Sequence, residues 1–231
     1  MPTTLITSPS KISSGPPSVS FQTPVNPTVE ARLREAVKAA PEIFFIEDVR
    51  LNGVPMQQVR FALTKMARES GGFVIRLAWG IYAKPALGEN SKKAVFPSTE
   101  RIAFACASKN RLEIIPSGQR AACRVGLIDG AVEDADEWFT SGTPKKIQLS
   151  NGKTIKFLMT REARMFAFKD DRMRDLSNGI RFVGKFNMGD YEMSAVKVWL
   201  KSISEENYLE DLELCPEWVR DILQECREKD D

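Results

Sequence analysis

The chain has 231 residues, 33 Lys and Arg against 31 Asp and Glu, and no histidine. No apolar run approaches the roughly 18 residues of a membrane-spanning helix, and the N-terminus lacks the charged-then-apolar pattern of a secretory signal, so a cytoplasmic location is expected. The missing histidine excludes His-ligated zinc and any Ser-His or Cys-His nucleophile pair; Cys106, Cys123, Cys215 and Cys226 form no closely spaced pair and are read as reduced thiols.

Residues 1–27 are rich in Ser, Thr and Pro and read as a disordered arm. Thr28 is a good helix N-cap after Pro27. Val29, Leu33, Ala36 and Val37 then fall on one helical face, and the helix should stop before Pro41. Ile43 to Ile46 reads as a short extended segment, followed by a brief second helix and a turn at Asn52-Gly53. Pro55 opens a third helix whose buried stripe is Val59, Leu63 and Met66. Phe73 to Leu77 and Ile81 to Lys84 read as two strands joined at Ala78-Trp79-Gly80, with Phe73, Ile75 and Leu77 alternating with Val74 and Arg76.

Helix, short helix, helix and hairpin define an N-terminal winged helix-turn-helix, placed at 28–87. Beyond it lie an α+β body at 88–188 and an acidic helical region at 189–231, so the fold class is α+β. In the body, helices are expected near 99–109 and 119–125 and strands at Leu112 to Ile115 and Trp138 to Thr140. A hairpin is expected around Asn151-Gly152, read as a type I′ turn because both residues tolerate positive φ. Further helices are expected near 171–177, 190–202 and 216–228.

Charge is unevenly divided. Residues 30–84 carry +3, residues 85–185 carry +6, and residues 186–231 carry −8. A basic body with an acidic tail suits a nucleic acid on one side and a protein partner or self-contact on the other.

If Val59, Leu63 and Met66 face inward, Gln57, Gln58, Arg60, Thr64, Lys65 and Arg68 face outward, with Phe61 at the boundary. Gln and Arg read adenine and guanine edges in the major groove, while Lys65 and Arg68 suit phosphate. Arg76, Trp79 and Lys84 lie on the wing, where they suit the phosphate backbone or the minor groove; Trp79 fits equally well as a residue packing the wing against the body. No catalytic residue, metal site or cofactor is expected. Glu133, Asp134, Asp136 and Glu137 read as a solvated loop, not the converging carboxylates of a nuclease, and Ser117 and Ser141 read as turn residues.

Val59-Arg60-Phe61-Ala62-Leu63-Thr64-Lys65-Met66 and Ile75-Arg76-Leu77-Ala78-Trp79-Gly80-Ile81-Tyr82 resemble the winged-helix domain of AbiEi-type antitoxins. Ile115-Pro116-Ser117-Gly118, Gly126-Leu127 and Phe139-Thr140-Ser141-Gly142 are similar to the core of AbiEi-like proteins. The resemblance implies an antitoxin of a type IV toxin-antitoxin system (phage abortive infection) that represses its own operon. Its partners would be double-stranded operator DNA and a nucleotidyltransferase-type toxin with which it forms no stable complex. A homodimer reading paired half-sites fits this picture. Two alternatives stay open: a winged-helix protein-interaction module that binds no DNA, and a degenerate nucleic-acid enzyme.

Overall fold

The computed structural model describes residues 27–69, 73–87, 94–130 and 135–228. The N-terminal arm expected at 1–27 lies almost wholly outside the described residues, as do Gly71, Gly72, Glu133 and Asp134. The architecture is mixed α+β, with eight α-helices, a three-stranded sheet, a four-stranded sheet and a two-stranded ladder among the described residues.

Helix α1 (Pro27–Ala39) buries Val29, Leu33 and Val37, the residues of its apolar stripe. Helix α2 (Met56–Arg68) buries Val59, Ala62, Leu63 and Met66. Between them lie strand β1 (Ile43–Phe45) and a 3-10 turn (Ile46–Val49), which is the short second helix of the sequence reading. Strands β2 (Ile75–Ala78) and β3 (Ile81–Ala83) form the hairpin, and all three strands pair antiparallel in the order β1-β3-β2. Gly80, at φ 76°, closes the turn in the left-handed region that glycine tolerates.

Both faces of this sheet are buried. Phe44, Val74 and Tyr82 meet α1 and α2, with Phe44 and Tyr82 stacked at 5.8 Å. Leu77, Ala78, Ile81 and Ala83 pack the other way, against Ile102, Ala103 and Cys106 and against Trp138, Ile155 and Phe157. The alternation read from the sequence fails at Val74, which is 1% exposed because it packs into the core with Phe44 and Tyr82, whereas Arg76 stays exposed as expected.

The second core belongs to helix α3 (Thr99–Lys109), which follows the short ladder of β4 (Ala86–Leu87) and β5 (Ala94–Val95), and to a sheet of β6 (Ile114–Pro116), β7 (Ala135–Thr140), β8 (Lys145–Gln148) and β9 (Thr154–Met159). Its order is β6-β7-β9-β8, with β7 and β9 parallel. Residues before and after the expected 87/88 boundary, from β2 and β3 on one side and α3 and the larger sheet on the other, contribute to this core. The β8–β9 turn also ties the two regions together: Ser150 donates from its backbone N to the Leu77 carbonyl at 2.8 Å and from its hydroxyl to the Arg76 carbonyl at 2.6 Å.

That turn is not type I′. Gly152 has φ 88°, but Asn151 is not in the positive-φ region. Gly152 N donates to Leu149 O at 3.1 Å and Leu149 N to Lys153 O at 2.8 Å, which makes a three-residue loop ending in a left-handed glycine. The Asn151 carboxamide accepts from Lys153 N at 3.1 Å instead of using its tolerance of positive φ.

The third core gathers helices α4 (Gly118–Arg124), α5 (Asp171–Val183), α6 (Asp190–Leu200), α7 (Glu205–Leu212) and α8 (Glu217–Glu228). Leu176, Ile180, Val196, Leu200, Leu212, Val219 and Leu223 fill it. Helices α4 and α5, before the expected 188/189 boundary, share this core with α6–α8, after it. A Cβ at Gly179 would stand 3.1 Å from the Ala122 Cα, so the missing side chain lets α4 and α5 approach closely.

Candidate nucleic-acid interface

Helix α2 turns its polar stripe outward because its four buried residues commit the other face. Gln57, Gln58, Lys65 and Arg68 are exposed, and Phe61 is 52% exposed. Arg60 and Thr64 are half-buried, and the Thr64 hydroxyl donates back to the Arg60 carbonyl at 2.8 Å.

The hairpin tip stands beside this stripe. Trp79 is 70% exposed, and the Arg60 guanidinium lies 4.5 Å from its ring centroid. Trp79 therefore does not pack the hairpin against the body; that work falls to Leu77, Ala78 and Ser150. The tip is held from below, where Ile46 N donates to the Gly80 carbonyl at 3.0 Å. Arg76 is exposed, and the β8–β9 turn, with Asn151 and Lys153 exposed, sits next to it.

Two of the sequence-selected cations are engaged elsewhere. Lys65 pairs with Glu30 at 3.0 Å and approaches Glu69 at 3.9 Å. Arg34 also binds Glu30, at 2.9 Å; hydrogen bonds from Arg34 and Lys65 hold the Glu30 carboxyl below its ordinary range. Lys84 donates its ammonium to the Lys38 carbonyl at 2.6 Å, at the C-terminal end of α1, where a cation satisfies an orphan carbonyl. Gln57, Gln58, Arg68 and Arg76 have no side-chain partner among the described residues. The structure thus brings Arg60 and Trp79 together, leaves Gln57, Gln58, Phe61, Arg68 and Arg76 exposed, and engages Lys65 and Lys84 with other partners.

The sequence reading missed the buried charges of the body. Asp136 lies on β7, 3% exposed and paired with Arg120, and Glu137 pairs with Lys156 at 2.7 Å, so neither belongs to a solvated loop. Arg120 also bonds Glu100 at 3.0 Å and stacks 4.3 Å from the Trp138 ring centroid. Asp175, 4% exposed, meets Arg124 at 2.8 Å; burial pushes its carboxyl up despite the cations beside it. Ser117 is more than a turn residue: it is 4% exposed, and its hydroxyl has no hydrogen-bond partner among the described residues.

Among the described residues no three Cys, Asp or Glu side chains converge as a metal-binding group. Burial raises the Cys106 and Cys215 thiols to about 11, so neither is a thiolate at neutral pH. No described helix is long and apolar enough to cross a membrane.

These features define a class: an α+β protein in which a three-stranded sheet is clamped between a helical N-terminal unit and a larger body, with a cationic and amide-bearing face at one end. The chain belongs to DUF6088, a family of unknown function, whose model matches residues 29–208. No curated protein and no solved structure matches it.

Proposed function

We propose that residues 28–87 form a winged helix-turn-helix that binds duplex DNA, with α2 as the recognition helix and the β2–β3 hairpin as the wing. The observation that carries this reading is the Arg60–Trp79 contact, which makes the helix stripe and the hairpin tip one surface. An α-helix fits the major groove, where Gln57, Gln58 and Arg60 have the donor and acceptor geometry to read base edges. Arg68 and Arg76 would hold flanking phosphates and set the register. The chain would act in the cytoplasm as a transcriptional regulator, not an enzyme.

The narrower role, autorepressor and antitoxin of a type IV system opposing a nucleotidyltransferase-type toxin, rests on the resemblance of the α2 and hairpin sequences to AbiEi-type antitoxins. Fluorescence anisotropy with duplexes from the chain's own upstream region tests the DNA reading. Saturable, salt-sensitive binding supports it, and the absence of binding at low salt removes it.

A second reading, docking of a protein partner, has one specific observation in its favour. The acidic C-terminal part exposes Phe186 fully, with Tyr191 at 59% and Val198 at 71%. A stoichiometric partner captured through these side chains by a chain that binds no DNA would favour it.

A further inference from the structure

We propose that the β8–β9 turn, Ser150 to Lys153, is a second phosphate-contacting element, which extends the DNA footprint of the β2–β3 hairpin onto the body. The inference rests on the DNA reading above and adds to it a part of the chain outside residues 28–87.

The turn is fastened to the hairpin. Strand β2 is an outer strand of its sheet, and its pairing with β3 is irregular between Arg76 and Ala78. The carbonyls of Arg76 and Leu77 are taken by Ser150, whose hydroxyl donates to the first at 2.6 Å and whose backbone N donates to the second at 2.8 Å. Arg76, Asn151 and Lys153 are all exposed. A backbone phosphate held by Arg76 therefore has this turn beside it.

The charge of the β8–β9 hairpin has one sign. Residues 145–156 contain Lys145, Lys146, Lys153 and Lys156 and no acid. Lys156 is neutralised by Glu137 at 2.7 Å, whereas Lys145, Lys146 and Lys153 have no ion-pair partner among the described residues. A protein that gathers unpaired cations next to a DNA-contacting wing gains affinity from each phosphate they neutralise.

Hydrogen bonding within the turn selects an acceptor as its ligand. Gly152 N donates to the Leu149 carbonyl and Leu149 N to the Lys153 carbonyl. Gln148 Nε2 donates to the Gly152 carbonyl at 2.8 Å, and Asn151 Oδ1 accepts from Lys153 N at 3.1 Å. With Asn151 Oδ1 occupied, the free end of that amide is its NH2 group, a donor, and the Lys153 ammonium beside it is donor only. A phosphate oxygen, which only accepts, complements both. Gly152, at φ 88°, and the Thr154 hydroxyl, which donates to Gln148 Oε1 at 2.9 Å, hold the turn in shape before any ligand arrives.

Anisotropy with duplexes from the chain's own upstream region, read against salt, tests the proposal on the full chain. Lys153→Ala should make the slope of log affinity against log salt shallower by about 1. The wild-type advantage over that variant should shrink about threefold between about 50 and 200 mM salt. Asn151→Asp keeps the oxygen that accepts from Lys153 N but replaces the amide donor with a charge, and it should weaken binding to every sequence. Lys185→Ala, an exposed cation on the connection after α5, should leave the slope unchanged. Phosphate ethylation interference should reveal at least one phosphate that blocks the wild-type chain and not Lys153→Ala. An unchanged slope for Lys153→Ala where Arg76→Ala makes it shallower overturns the proposal and leaves the winged-helix reading standing. Equal effects of Lys153→Ala and Lys185→Ala, or identical interference patterns, also overturn it. A wild-type chain that binds no duplex at low salt removes both readings.

Discussion

The Arg60 guanidinium rests 4.5 Å from the centre of the Trp79 ring, across the gap between helix α2 and the hairpin tip. One residue is a base-reading candidate and the other the most prominent side chain of the hairpin. The stack restricts Arg60 before any ligand arrives, and a preorganised side chain loses less entropy on binding.

A cation–π contact at an exposed site is worth about 0.5–1 kcal/mol. Arg60→Ala and Trp79→Ala should therefore be coupled in stability by about that amount, read from a double-mutant cycle in urea. Each single change should also weaken DNA binding, Arg60→Ala the more strongly and with relaxed sequence preference. Strict additivity in the cycle would show that the stack contributes nothing.

Asp136 and Arg120 form the most buried ion pair of the body, with side chains 3% and 12% exposed. Removing one partner of such a pair leaves an uncompensated charge, so Asp136→Ala should cost about 3 kcal/mol in chemical denaturation. Glu42, whose partner Arg101 is 57% exposed, provides the contrast. Glu42→Ala should cost under about 1 kcal/mol. Equal losses would contradict the burial argument.

Asp170 caps α5, accepting from Arg172 N at 2.8 Å and bonding the Arg172 guanidinium and the Asn207 amide. Led by the Arg172 hydrogen bond, these contacts lower its carboxyl from 3.8 to about 2. A folded-state value below the unfolded one gives stability that is complete above about pH 4 and is lost as pH falls toward 2. Asp175 has the opposite sign, because its raised carboxyl is relieved by protonation. The readout is therefore the difference between the wild-type chain and Asp170→Asn. That difference should shrink as pH falls from 4 to 2, and a constant one would contradict the assignment.

Helices α3 and α4 end in the same way. Leu112 N donates to Ala107 O and Arg111 N to Ser108 O; Leu127 N donates to Ala122 O and Gly126 N to Cys123 O. Each motif requires a left-handed residue, supplied by Gly126 at φ 74° and by Arg111 at φ 53°. Arg111→Gly should relieve the strain and raise stability by about 0.5–1 kcal/mol, net of the entropy glycine adds to the unfolded chain. A loss of stability would show that the Arg111 side chain makes a compensating contact.

Much of this fold was legible where one face of an element is buried. Val59, Leu63 and Met66 placed α2, and the helix expected near 216–228 is α8, which buries Val219, Ile222, Leu223 and Cys226. Legibility failed where burial is two-sided or contacts are distant. Val74 broke its expected alternation because the core of α1 and α2 covers it, and the parallel pairing of β7 with β9 leaves no local signal. Helix α7, absent from the sequence reading, is only eight residues long and rich in acid; the Ser204 hydroxyl caps it by accepting from Asn207 N. The candidate face was half visible. Helical spacing gave the α2 stripe, but neither the Arg60–Trp79 stack nor the engagement of Lys65 by Glu30 follows from spacing, since the partners lie 19 and 35 residues apart.

The most direct test of the central claim is the salt dependence of binding to upstream duplex, measured by anisotropy for the wild-type chain, Arg68→Ala and Arg76→Ala. With Arg68 and Arg76 on phosphate, log affinity should fall linearly with log salt at a slope of about −2 from these two contacts. Each substitution should make the slope shallower by about 1 and weaken all sequences alike. No binding at 50 mM salt, or a slope unchanged by both substitutions, would contradict DNA recognition through this face.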